Sequence, residues 1–417
     1  MRLIPIAYLA SYLLSLLGNS IAGVALPLIV LQVTGSALGA GAVAAATAVP
    51  AVFAGLLMGV VIDRINRRTS SVVTDLVSAA AVAALPLVDM LSGLSLGWFV
   101  LFGIIGSLGD VPGMTARDAL LPAIVRHGGI ASERLLGIRE ALGAVALLLG
   151  PAAAGTLMVL FEGSTVLWIT AATSLVAALL TLLIPRRVGD ITAAEGEPAA
   201  TGNGWAQLRL GWRVLFRSRF LIVTTGLSVA SAIVLASLQG LILPVYFTLV
   251  EQPGMLGFVL SALAGGMLVG GTVYAIAGAR GRRRGWFLAG VFGSALGFVL
   301  IAALSSVWIV LAGAFVVGVA SGLFASLMGV LMIERIPEQM RGRIMGTQNA
   351  ILTAAPPIGI LTAAVLTEYA GVNVAAVALV GVGLVALALS VLARSLRNLE
   401  PEPAEAGTGG AAVIHSA

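Results

Sequence analysis

The charges of this chain are confined to short breaks between long apolar runs, and that spacing leaves few folds open to it. Twelve apolar stretches lie at about 7–31, 38–62, 70–91, 97–121, 138–160, 164–184, 220–248, 255–279, 285–304, 307–333, 345–367 and 372–393. Each reaches the ~20 residues that an α-helix needs to cross a bilayer. In hydrocarbon every backbone N–H and C=O must be satisfied within the segment, so such runs are read as helices. Composition agrees, with 59% of residues hydrophobic and 10% charged, against roughly 25% charged in a soluble domain. The expected fold is an all-α polytopic membrane protein with twelve transmembrane helices.

The basic residues then orient it. There is no lysine, so the 23 Lys+Arg positions are all arginine. With a cytoplasmic N-terminus, every arginine falls in or beside an inner break: Arg64, Arg67 and Arg68, then Arg117, Arg126, Arg134 and Arg139, then 186–219, 280–284, 335–343, and finally Arg394 and Arg397. The outer breaks carry only acids, namely Asp89, Glu162, Glu251 and Glu368. Short loops rich in arginine stay cytoplasmic, so both termini are expected inside a bacterial inner (plasma) membrane. The first apolar stretch exceeds a signal-peptide core of roughly 7–15 residues and is read as a retained span. The basic residues never gather into a polar domain, which argues against a nucleic-acid partner. With no cysteine and only His127 and His415, neither a cofactor nor a metal site is expected. A Walker-type Gly-x-x-x-x-Gly-Lys loop needs a lysine, so ATP-driven transport by this chain alone is not expected.

The longest polar stretch divides the chain in two. The expected organisation is an N-terminal six-helix bundle over 1–185, a cytoplasmic linker over 186–219, a C-terminal six-helix bundle over 220–397 and a disordered tail over 398–417. Gly189 to Gly204 reads as a flexible linker. After it, Trp205, Leu208, Trp212 and Leu215 share one helical face while Arg209, Arg213 and Arg217 step by four on its neighbour, the pattern of an amphipathic helix in the bilayer interface. The halves repeat each other weakly. Arg64-Ile-Asn-Arg-Arg after the second span matches Arg280-Gly-Arg-Arg-Arg after the eighth, and Gly150-Pro151 in the fifth matches Pro356-Pro357 in the eleventh. Such a 6+6 pseudo-repeat is a transporter architecture.

Two motifs carry a family resemblance. Gly59-x-x-x-Asp63-Arg64-x-x-Arg67-Arg68, between spans two and three, resembles motif A of the major facilitator superfamily. Gly59 would allow close helix approach. By that resemblance Asp63 would sit near the positive end of the eleventh helix, starting near Met345. The arginines Arg64, Arg67 and Arg68 would pair with Asp63, Asp75 or Asp118, or with anionic headgroups. The other reading is a positive-inside loop with no switching role. Gly150-Pro151-Ala-Ala-Ala-Gly155 in span five is similar, in part, to motif C of the drug–proton antiporters, with Ala146 and Ala154 where that pattern has glycines. Pro151 bends the helix, and Gly150 and Gly155 let the opposite half pack tightly at one gate; a kinked packing helix is the plainer reading. Leu26-Pro27 through Ser36 and Leu121-Pro122 through Val125 resemble the macrolide-efflux and siderophore-exporter-like branch. The arginine that many of those antiporters carry in the fourth span has no counterpart between Trp98 and Val111.

An acid at mid-membrane is expensive to ionise unless paired, which makes it a functional candidate. Asp110 lies about 20 Å into the fourth span. It is the first proton-coupling candidate, with a structural acid beside Pro112 and Gly113 as the equal alternative. Glu140, next to Arg139, is the second candidate, with a local ion pair or headgroup contact as the commoner explanation. Asp75 is grouped with the motif A charges. The cavity candidates are Ser15 and Asn19 in the first span, Gln239 and Tyr246 in the seventh, and Ser321 and Ser326 in the tenth. For each taken singly, a helix–helix hydrogen bond is the commoner explanation. The resemblance implies a secondary transporter, not an enzyme, exporting small hydrophobic or amphipathic compounds by proton antiport with alternating access. Its partners would be the substrate, protons and membrane lipids, and a monomer suffices. The alternatives are a proton-coupled uptake carrier or a lysolipid or siderophore transporter of narrow specificity.

Overall fold

A computed structural model describes residues 3–62, 65–190, 213, 216, 218–278, 282–335, 338–393 and 396. Its long helices are α1 (Leu3–Thr34), α2 (Ala37–Ile62), α3 (Arg67–Ser92), α4 (Leu96–Gly128), α5 (Ser132–Leu160) and α6 (Gly163–Leu182) in the first half. The second half holds α7 (Arg219–Leu249), α8 (Met255–Ala277), α9 (Arg283–Ala302), α10 (Val307–Arg335), α11 (Glu338–Ala370) and α12 (Val372–Leu392). Eleven of these are long and apolar enough to cross a membrane among the described residues; α2, at 26 residues, completes the set. The chain is a multi-pass membrane protein.

Most helices keep the expected bounds, and three extend past them. The fourth runs on to Gly128, the fifth begins at Ser132, and the eleventh begins at Glu338, not near Met345. In each case a helix continues through charged residues that a hydropathy reading assigns to a loop.

Each half packs on itself, and the halves meet along α2 against α11, α5 against α8, and α1 against the end of α7. Small residues set the tightest contacts, as expected where helices gain little from burying apolar surface in lipid. On α8 and α10, Gly266, Gly270, Gly318 and Gly322 lie so close that a Cβ on any of them would collide with a carbonyl oxygen of the partner helix. The turns are short: Gly35 and Gly371 reverse the chain with φ of 64° and 89°, which only glycine adopts without strain.

Helix α7 carries one irregularity. Residues Leu238–Ile242 form a π turn, with Leu243 N–H bonded to Leu238 O. Pro244 has no N–H for the carbonyl of Gly240, and the backbone rewinds by one residue around that loss.

At the arginine-rich face, Asn66 caps α3 by accepting from Thr69 N at 3.0 Å. Its Nδ2 donates to Arg186 O (3.0 Å) and Asp190 Oδ1 (2.7 Å), tying the hairpin to a 3₁₀ turn, Arg186–Gly189, after α6. Gly189 and Asp190, at the start of the expected linker, are therefore anchored to the first half. The rest of that linker, apart from helical Arg213 and Phe216 and from Ser218 and Arg219 at the start of α7, and the tail after Leu396 lie outside the described residues.

Candidate functional site

The site is built on α3 and α4, which glycine brings together. A Cβ at Gly113 would stand 3.0 Å from Thr74 Oγ1, and one at Gly109 would collide with Ser78 Oγ. This closeness lets the Ser78 hydroxyl donate to Asp110 Oδ1 at 2.6 Å. One turn of α3 toward the arginine-rich face, Asp75 forms a buried ion pair with Arg117 of α4. Their side chains are 5% and 3% exposed, so the pair is out of reach of solvent and headgroups. Ser15 of α1 also hydrogen-bonds Asp75, and Tyr8 Oη donates to the Arg117 carbonyl at 3.2 Å. Polar groups of α1, α3 and α4 thus line up inside the first half, with the Asp75 carboxylate and the Arg117 guanidinium neutralising each other, as buried charge requires.

Arg117 is the functional residue that the sequence reading misses. The arginine pattern groups it with the inner-loop arginines, and Asp75 with the loop charges of motif A; in the structure the two hold each other inside the first half. The signal was available in their depths. Asp75 lies about 12 Å into α3 and Arg117 about 16 Å from the end of α4, at ~1.5 Å per residue from the same face.

Asp110 stands at one end of a cavity of about 320 Å³. Its walls come from α1 (Asn19, Leu26), α2 (Val43, Thr47), α3 (Val82) and α4 (Phe99, Phe102), with Gly240 of the α7 π turn from the other half. Among the described lining residues all are apolar except Asn19, Thr47, Ser107 and Asp110, and Asp110 is the one ionisable group. Of the six cavity candidates only Asn19 lines this space. Ser15 is buried and turned to Asp75. Gln239 is half-buried in the π turn, and Tyr246 is buried edge-on to Phe247. Ser321 and Ser326 are half-buried on α10.

The remaining candidates sit elsewhere. Glu140 is exposed and 3.7 Å from Arg139, which also pairs with Asp118 and stacks over the Tyr12 ring. Of motif A, Asp63 and Arg64 lie outside the described residues, and only the backbone of Gly59 is described. Arg67 donates to Ala119 O at 3.2 Å. Arg68 reaches Ile184 O (3.0 Å) and Leu182 O (2.7 Å) at the end of α6. In α5, Gly150 packs on Ser20 of α1, while Pro151 and Gly155 meet the backbone of Gly254, just before α8, and of Gly257 in its first turn. This contact lies near the arginine-free face and closes the halves there.

Twelve long helices whose two halves meet over a lipophilic cavity, with one carboxylate among its described lining residues, have the architecture of a helical membrane transporter. The chain belongs to the Major Facilitator Superfamily, whose family model matches residues 8–254 and 229–415. Among curated proteins it is similar to the multidrug efflux pump Tap of Mycobacterium tuberculosis, 32% identical over 397 residues, covering 94% of this chain and 93% of that protein. It is also 24% identical over 371 residues to macrolide efflux protein A of Streptococcus pyogenes, covering 87% and 89%. Among solved structures, a point-mutant form of the nucleoside transporter NupG shares the fold, with a TM-score of 0.78, 14% identity and coverage of 93% and 99%.

Proposed function

We propose that the chain is a proton-coupled exporter of small amphipathic compounds in a bacterial plasma membrane, with both termini cytoplasmic and the arginine-free face outside. The observation that carries this reading is the cavity: apolar and aromatic walls with one carboxylate, Asp110, held by Ser78. Such a lining gains from burying an apolar body and offers a single place for a proton or a positive charge. The similarity to pumps named for multidrug and macrolide efflux supports export.

In the proposed cycle Asp110 takes a proton from outside, the outer face closes, and the proton leaves inward as substrate binds. The described contacts between α5 and α8 fit the stage at which the outer face is shut. Asp75 and Arg117 hold the α3–α4 frame through the cycle. Glu140, paired with Arg139, stands as the second proton-coupling candidate at the cytoplasmic side, and the loop residues Gly59, Asp63, Arg64, Arg67 and Arg68 act there as the conformational switch that the motif resemblance implies.

The test uses proteoliposomes with an imposed pH gradient and a panel of lipophilic dyes, following dye and lumenal pH together. Dye movement linked to proton movement is expected, and Asp110→Asn should abolish the link with the protein still folded. Gradient-driven transport retained in Asp110→Asn would remove Asp110 from the scheme. If no dye moves with folded protein, the broad-specificity part of the reading fails.

A further inference from the structure

We infer that Glu368 is the latch that holds the outer gate shut by capping a helix of the opposite half. Glu368 is on the last turn of α11, and its Oε2 accepts from the backbone N–H of Leu38 at 3.2 Å and from the Ser36 hydroxyl at 3.3 Å. Both donors belong to the start of α2. Ser36 is already that helix's own cap, since its Oγ accepts from Gly39 N at 3.1 Å, and its hydroxyl proton is left free for the carboxylate. Leu38 N–H is a first-turn donor with no partner inside α2, where the helix dipole favours a negative charge. One C-terminal carboxylate thus completes the N-terminus of a helix that belongs to the other half.

The surroundings make the contact specific to the closed face. Below it α2 and α11 touch, Gly41 against Ala364. The crevice around it is bounded by Leu31, Ala37, Val245, Leu249 and Val372, and Glu368 is the only charged group among its lining residues. No cationic side chain stands among those described lining residues. Separation of the halves on the outer side must break both hydrogen bonds at once, leaving the Leu38 N–H without its carboxylate acceptor while Ser36 still caps Gly39. This inference rests on the alternating-access reading above.

The chain has no cysteine, so a spin-label pair can be placed without background at Met90→Cys and Trp308→Cys, two exposed positions on opposite halves near the outer face. Pulsed electron–electron distances in nanodiscs report outer opening for the full-length chain. Glu368→Ala should raise the ratio of open to closed populations about 3- to 10-fold, in line with a charge-assisted contact at a helix terminus. Leu38→Pro tests the other partner: it deletes the donor at a first-turn position where proline is tolerated, and should raise the ratio in the same direction. Unchanged populations in Glu368→Ala, or a shift there with none in Leu38→Pro, would overturn the latch. If the outer distance never lengthens in the parent or either variant, with substrate or a pH step, alternating access itself fails and the latch with it.

Discussion

The Asp75–Arg117 pair gives the sharpest energetic test of the site. The pair is almost wholly enclosed, and Ser15 is the one further side-chain partner of Asp75. Replacing Arg117 by Met leaves a buried carboxylate with a single hydroxyl. Replacing Asp75 by Asn leaves a buried guanidinium whose Nε already lacks an acceptor. Breaking one side of a buried pair costs about 3–5 kcal/mol, whereas exchanging both partners for neutral groups of similar volume is near neutral. The double variant Asp75→Asn/Arg117→Met should therefore recover most of what either single variant loses, a coupling worth roughly two to four orders of magnitude in an equilibrium constant. The assay is thermal unfolding in detergent, read on the six tryptophans, for the parent, both singles and the double. If the double variant is as unstable as the sum of the singles, the two side chains do not neutralise each other, and the reading of Arg117 as a bundle-internal residue is wrong.

Two further outcomes follow from the geometry. Gly257→Ala places a Cβ 2.7 Å from Gly155 N, where ordinary contact is 3.4 Å or more, and against the Pro151 carbonyl; since backbone cannot yield, α5 and α8 must part, at about 1–3 kcal/mol. Labelling of a cysteine at Asn19 by an impermeant maleimide added from outside should rise about 5- to 150-fold, and unchanged labelling would show that this contact does not seal the face. Ser78→Ala removes a hydrogen bond to Asp110 worth about 1.5–3 kcal/mol for a charged acceptor. Proton-linked dye flux should fall tenfold or more at equal protein yield, and undiminished flux would detach Ser78 from the site.

Much of the fold is legible in the sequence because a membrane imposes one rule on every span. The twelve expected stretches coincide with the twelve helices, since apolar length alone specifies a helix in lipid. The boundary at Met345 fails for the complementary reason. The stretch from Glu338 is polar but helical, and hydropathy cannot distinguish a polar helix end from a loop. Asp110 is visible because no outer or inner break lies near it. Arg117 is not, because an arginine sixteen ångströms or so inside a helix end looks, in one dimension, like Arg126 and Arg134 at the helix ends that follow it. Its meaning appears only when α3 lies beside α4 and brings Asp75 to it. The π turn is in the same position: Gly240 and Pro244 are written in the sequence, but the entry of Gly240 into the cavity depends on Ile360 of α11 packing against it.

The halves of the molecule are alike in topology and unlike in chemistry, and that difference constrains how the cycle can run. In the first half, Asp75, Asp110, Arg117, Asp118 and Arg139 stand within or beside the helix bundle in partnered arrangements. Among the described side chains of the second half, charge lies at the helix ends, as with Arg282 and Glu368, while the interior contacts of α8 with α10 are glycine against backbone. Glycine-to-backbone packing is rigid and leaves no room for a titrating group between the helices. In the proposed cycle a proton on Asp110 acts within the first half, and the second half follows through the surfaces the two share: α5 on α8, α2 on α11, and Gly240 at the cavity wall. Protonation of Asp110 in the proposed cycle acts on a cavity that Gly240 also lines, and the α11 helix that packs on Gly240 through Ile360 is the one whose far end carries Glu368. In that cycle Gly240 and Ile360 link the Asp110 cavity to Glu368, so in Ile360→Ala the outer spin-label distance should no longer respond to a pH step, and a response equal to the parent's would refute the link.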